Sequence, residues 1–248
     1  MDVSREGRVV GHVAGLCRYP VKSMAGEALE RADVSWHGLA GDRRWAFVRD
    51  RVATSGFPWL TLRERNDMAG YRPAFVDPDR PDKSAVRVTS PSGDVRDMTD
   101  PALAAELYPE GARAIRQDRG TFDSFPLSLI STQTIDALGR SVGMDLEVQR
   151  FRPNLLVRAV DGAPFQEDEW LGCVLRIGGF RMRIDKRDGR CVVITIDPMT
   201  AKRSPDVLRR VASERGGHLG VYGTTVTPGS VAVGDAVSID VPGDTGVP

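Results

Sequence analysis

Short runs of β-branched, small and aromatic residues, each cut off by glycine or proline, recur along the chain. This punctuation limits what it can fold into. Val9 to Tyr19 is such a run and stops at Pro20; Trp45-Ala46-Phe47-Val48 follows a Gly-Asp turn. Ala85 to Thr89 alternates apolar and polar residues, Pro91-Ser92-Gly93-Asp94 turns, and Val95 resumes, which is the pattern of a hairpin. Cys173 to Ile177 and Phe180 to Ile184 flank Gly178-Gly179 in the same way. Leu219 to Thr227 and Val231 to Val241 lie around Pro228-Gly229. Helical patterns are few. Asp100-Pro101 opens Ala102 to Tyr108, Ser131/Thr132 cap Gln133 to Val142 with Ile135 and Leu138 on one face, and Ser204-Pro205-Asp206 open Val207 to Val211. The expected fold is mainly β with a few short helices (α+β), built as a barrel or sandwich.

Composition narrows the function classes. Lys plus Arg and Asp plus Glu are balanced at 34 each, so no global positive field recruits nucleic acid or an acidic membrane. No apolar run approaches the ~20 residues of a membrane span, and Met1 to Glu6 is charged with no apolar stretch behind it, the opposite of a secretory leader. Three cysteines at irregular spacing, Cys17, Cys173 and Cys191, are no disulfide framework, and the expected compartment is the reducing cytoplasm. The histidines His12, His37 and His218 are far apart and there is no C-x-x-C, so neither zinc nor an iron–sulfur cluster is expected in this chain.

Five segments carry polar residues at the ends of these runs. Cys191 stands in Lys186-Arg187-Asp188-Gly189-Arg190-Cys191 ahead of the apolar run Val192 to Ile196; nearby positive charge favours the thiolate, although a lone cysteine is commonly a small buried apolar residue. Tyr19-Pro20-Val21-Lys22-Ser23 places a cation beside a hydroxyl, a pair suited to a phosphate oxygen, in a chain with only four lysines. Gly41-Asp42-Arg43-Arg44-Trp45 delivers two arginines from a turn, as anion ligands or as a surface pair. In Arg150-Phe151-Arg152-Pro153-Asn154, Arg152 can hold an anion and Asn154 can offer an amide to a heterocycle edge, or serve a turn. Phe122-Asp123-Ser124-Phe125-Pro126 offers Asp123 and Ser124 to a polar ligand or to an Asx-type turn. Trp59, Phe57 and Trp170 are read as core or rim.

The order of these pieces, Y-P-V-K-S, G-D-R-R-W, D-S-x-P, R-F-R-P-N and R-C-x(5)-D-P, resembles the MOSC family in its two-part form with an N-terminal β-barrel region. That family includes the mitochondrial amidoxime-reducing component and its bacterial relatives. The resemblance covers about Gly11 to Val241 and implies an N-terminal MOSC β-barrel-like region (residues 1–119) followed by a MOSC domain (residues 120–242) with a β-barrel core. It implies a molybdenum cofactor with Cys191 as the sole protein ligand to the metal and the catalytic residue. Lys22, Ser23 and Arg43 would bind the cofactor phosphate, Arg152 and Asn154 would contact the cofactor, Asp123 and Ser124 would lie nearby, and Arg190 would neighbour the dithiolene. The implied activity is two-electron reduction of N-hydroxylated compounds such as amidoximes and hydroxylamines, with oxygen lost as water. Electrons would come from a separate ferredoxin-, flavoprotein- or cytochrome-type protein. A sulfur-transfer role through a Cys191 persulfide, and a non-enzymatic cofactor-binding module, are the alternatives. Two positions depart from the family pattern: Ala201 stands where relatives often have the glycine of D-P-x-T-G, and Met24 follows Lys22-Ser23 where a small polar residue or cysteine is common.

Overall fold

The computed structural model describes residues 7–50 and 57–240. Residues 1–6, on which the expectation of no secretory leader rests, and Val241, the expected end of the last strand, lie outside the described residues.

Seven strands close into a barrel in the order Leu155–Ala159, Leu127–Ser131, His218–Thr227, Phe180–Gly189, Val174–Ile177, Ala236–Ile239 and Arg8–Arg18, the last pairing back onto Leu155–Ala159. A closed sheet has no unpaired edge, and a barrel this small is filled by side chains. Val13, Leu129, Val157, Leu175, Phe180, Met182 and Val221 form that filling. The single parallel pair in the ring joins Leu127–Ser131 to Leu155–Ala159. Parallel neighbours need a crossover, and the helix Thr132–Val142 supplies it.

Outside the barrel, Trp45–Arg49 pairs with Ala112–Arg116, and Arg72–Phe75, Val86–Thr89 and Val95–Asp97 form a meander. These sheets and helix α1 (Pro101–Leu107) enclose a second core of Phe47, Leu60, Met68, Val88 and Met98. Asp100 caps α1 by accepting from the Ala102 N–H at 2.8 Å, with Pro101 in the first turn where its missing N–H costs nothing. Helices α2 (Thr132–Val142) and α3 (Pro205–Arg215) share a third core around Ile135, Leu138, Val207 and Val211. Ser131 caps α2 through the Thr134 N–H at 3.1 Å. Ser204 makes no side-chain cap bond, so Pro205 starts α3, which runs past the expected Val211 to Arg215.

Three local expectations change. Val192 to Ile196 reads as a strand but forms a 3-10 turn over Val192–Thr195, closed by Thr195 Oγ1 donating to Val192 O at 2.7 Å. The run is apolar because it is packed from two sides: Ile194 enters the helical core, while Ile196 enters the second core with Val193 against it. The strand that begins at Phe180 continues past Ile184 to Gly189; its charged end hides a β segment that pairs with His218–Thr227. The stretch after Pro228-Gly229 is two strands: Gly229–Ala232 pairs with Arg31–Ser35, whereas Ala236–Ile239 enters the barrel.

Candidate functional site

Residues from both regions enclose a cavity of about 340 Å³, and all nine side chains singled out in the sequence line it: Lys22, Ser23, Arg43, Asp123, Ser124, Arg152, Asn154, Arg190 and Cys191. They come from segments up to 169 positions apart, brought together by the barrel end and the loops beside it. Seven basic and two acidic side chains line the cavity, and with Asp42, Glu147 and Asp197, which pair with lining arginines, five carboxylates face seven cations.

Backbone strain concentrates here. Five non-glycine residues among those described have positive φ, and three of them line the cavity: Ser23 (+69°), Arg43 (+50°) and Arg152 (+54°). Each such conformation costs on the order of 1–3 kcal/mol and persists only where the surroundings enforce it. One enforcing contact is Lys22 N donating to Trp45 O at 2.8 Å; another is Arg43 N donating to Tyr19 O at 2.6 Å.

Tyr19 is fully buried, and two guanidiniums lie against its ring, with Arg43 Cζ 4.6 Å and Arg152 Cζ 4.2 Å from the ring centroid. The ring thereby helps to hold two like charges close together. Asp42, fully buried, pairs with Arg43 and accepts from the Tyr19 N–H at 2.8 Å. Arg152 has no carboxylate partner: Nη1 donates to Met24 O at 2.7 Å, and Nη2 is buried without a hydrogen bond. Burial, then the neighbouring Arg43 charge, pulls the Arg152 pKa down to about 10. Of the adjacent pair, Arg44 turns away and is locked to Asp82 at 2.9 Å.

Lys22 is buried, donates to Thr121 O at 3.1 Å and ion-pairs with Asp123. Burial pulls its pKa below the ordinary lysine value, although Asp123 opposes that shift. Asp123 bridges Lys22 and Arg63; burial pushes its pKa up, but these two cations outweigh burial and hold it below the usual value.

Cys191 carries a free, half-buried thiol. The three cations just before it in sequence do not serve it. Arg187 pairs with Asp168 at 2.8 Å, Arg190 donates to Leu219 O and Phe151 O at 2.7 and 2.8 Å and pairs with Asp188, and Lys186 lies over the Phe125 ring. The guanidinium at the thiol is Arg63, with Nη2 3.7 Å from Sγ and 3.0 Å from Asp123 Oδ2. Arg63 sits in no motif, and it meets Cys191 across 128 positions of sequence. Its one local signal is T-L-R-E, a turn in which the Thr61 N–H and hydroxyl both donate to Glu64 Oε2, at 3.0 and 2.6 Å, and hold the arginine between them. Asn154 lines the wall, but its amide stitches the fold: Oδ1 accepts from Ser128 N and Nδ2 donates to Cys17 O, both at 3.2 Å. Arg190 is likewise a brace. Gly220, at φ +74°, lets its strand close onto it; a Cβ there would stand 3.2 Å from Arg190 Nη2. Trp170 is core, while Phe57 lies beneath Lys22 and Arg63 at 5.5 and 5.2 Å.

A closed β-barrel with a β region folded against it, and one thiol in a cationic cavity, define the class of protein. The chain belongs to the MOSC family: residues 116–238 match the MOSC domain and residues 10–119 the MOSC N-terminal beta barrel domain. The molybdenum cofactor sulfurase of Drosophila grimshawi is 27% identical over 84% of this chain and 31% of its own length. That of Danio rerio is 40% identical over 77 residues, 30% of this chain and 9% of its own. The chain spans about a third of the length of the first of these relatives. The crystal structure of the YUAD protein from Bacillus subtilis aligns over 94% of this chain and 97% of its own at TM-score 0.51 and 12% identity, a likeness of fold. No helix among the described residues is long and apolar enough to cross a membrane.

The donor set fits an anionic cofactor that brings a soft metal. The surplus charge asks for an anion, and the orphaned Arg152 Nη2 asks for an acceptor, since a buried unpaired donor costs roughly 1–3 kcal/mol. The thiol is a soft ligand that suits a metal held mainly by ligands of its own.

Proposed function

We propose that this protein binds a molybdenum cofactor, with the Cys191 thiolate as the one protein ligand to the metal, and reduces N-hydroxylated compounds such as amidoximes and hydroxylamines. The observation that carries this reading is the single free thiol in a cationic cavity that also holds an unpartnered buried guanidinium nitrogen. When bound, the cofactor supplies the two-electron oxygen-atom transfer chemistry. Arg63 donates to the Cys191 sulfur at 3.7 Å and holds it in position. Lys22, Ser23 and Arg43 receive the phosphate of the cofactor, an exchange in which Lys22 trades Asp123 for a stronger acceptor. Arg152 Nη2 gains its missing acceptor from the same ligand. Asn154 and Arg190 hold the wall rather than the ligand. Two electrons and two protons convert each N-hydroxyl group to N–H and water; the electrons come from a separate ferredoxin-, flavoprotein- or cytochrome-type protein in the cytoplasm.

A second reading, sulfur transfer through a Cys191 persulfide, is favoured by the relatives, which are molybdenum cofactor sulfurases. Metal and pterin content of protein from a cofactor-making host separates the two, measured for wild type beside Cys191→Ala with a benzamidoxime reduction assay and mass spectrometry of the thiol. Near-stoichiometric molybdenum, lost or loosened in the variant, together with turnover, supports the reductase. A persulfide on Cys191 in molybdenum-free protein supports sulfur transfer. Tight cofactor binding without turnover or persulfide leaves a binding module and sinks both.

A further inference from the structure

Five of the seven basic side chains lining the cavity have a carboxylate partner. Lys22 and Arg63 share Asp123, Arg43 has Asp42, Arg150 has Glu147 and Asp197, and Arg190 has Asp188. The two without one are Arg152, half-buried, and Lys186, which is exposed and so stands at the mouth. Among the described residues Lys186 has neither an ion pair nor a hydrogen bond. Its Nζ instead lies 5.0 Å from the centroid of the Phe125 ring and 6.0 Å from that of Tyr222.

This placement is set by the sheet. Lys186 is the register partner of Tyr222 on the neighbouring strand, so both project from the same face of the barrel wall. The rings of Tyr222 and Phe125 are stacked, with centroids 6.1 Å apart and planes at 19°. Tyr222 sits beside the buried Asp188, and burial together with the Asp188 charge pushes the Tyr222 pKa up. A lysine resting on ring faces is held in place by the cation–π contact, and its charge is left for an anion at the mouth. Two stacked rings beside one unneutralised ammonium match a planar body that carries a negative group.

Resting on the reductase reading above, we propose that Lys186, Phe125 and Tyr222 form a substrate subsite for a planar aromatic N-hydroxylated compound bearing a carboxylate. The carboxylate pairs with Lys186 and the arene lies against the two rings.

The test uses molybdenum-loaded protein, benzamidoxime and its 4-carboxy derivative, and the wild type beside Lys186→Met and Lys186→Arg. The expected result is a KM five- to tenfold lower for the carboxylate compound in wild type, a ratio near one in Lys186→Met, and most of the preference restored in Lys186→Arg. The preference should shrink at high salt. Calorimetric titration of the same two compounds reads the subsite without turnover, with the same selectivity expected in wild type and lost in Lys186→Met. Equal binding of the two compounds by wild type, or a preference that survives in Lys186→Met, overturns the subsite while leaving the reductase standing. Failure to turn over either compound sinks the reductase, and the titration still judges the subsite.

Discussion

Replacing Tyr19 by leucine removes the ring that both Arg43 and Arg152 rest against. The ring is fully buried and carries the two guanidiniums at 4.6 and 4.2 Å. A desolvated cation–π contact is worth about 2 kcal/mol, so two contribute roughly 4. The smaller leucine adds a packing defect of about 1 kcal/mol, at the low end of large-to-small core substitutions. The sum is roughly 4–5 kcal/mol, a third or more of the stability of an ordinary domain, and a melting temperature lower by about 10 °C or more at ~2–4 °C per kcal/mol. Tyr19→Phe is the control. The Tyr19 hydroxyl is buried without a nitrogen or oxygen partner and faces the Cys17 thiol, so its removal should change stability by less than about 1 kcal/mol. Denaturant unfolding of both variants, beside their phosphate-dependent thermal shifts, is the assay. A phenylalanine variant as damaged as the leucine one, or a leucine variant within 1 kcal/mol of wild type, would refute the role of the ring.

Ala201 holds φ +57°, a conformation that favours glycine. Ala201→Gly should therefore be neutral or stabilising by up to about 1 kcal/mol in chemical denaturation, and a clear loss would count against strain at this turn. Asn154→Ala should cost about 2–3 kcal/mol, because it leaves both the buried Ser128 N–H and the Cys17 carbonyl without their side-chain partner; a stability unchanged from wild type contradicts the bracing role. Asp123 has a folded pKa below its unfolded value, so its contribution is present above the unfolded pKa of about 4 and fades as pH falls through the folded value. Wild type should exceed Asp123→Asn in stability at pH 6–7, with the two converging towards pH 3; a gap independent of pH would refute the ionic role.

What sequence could and could not reveal follows from how far each property depends on neighbours. The Asp100-Pro101 start of α1 and the Ser131 cap of α2 are written in adjacent residues, and both stand as read. The nine cavity residues were legible because turn chemistry at strand ends localises them, and those ends meet at one end of a barrel. The 3-10 turn at Val192–Thr195 was not legible, because burial on two sides gives the same apolar run as a central strand. Arg63 was invisible for a different reason: nothing within ten residues of it concerns a thiol, and only tertiary packing brings it there. Asn154 and Arg190 line the cavity as expected from sequence, and tertiary structure adds that each also bonds to backbone groups of the wall, which no local pattern reveals.

The strand Arg8–Arg18 sits in the ring between Ala236–Ile239 and Leu155–Ala159, so two segments more than 200 residues apart close the barrel side by side. At synthesis rates of about 5–20 residues per second, that separation keeps the earlier strand waiting on the order of 10–50 s for the later one. Until then one edge of an apolar strand has no mate, an invitation to wrong pairings that a newly made chain must survive.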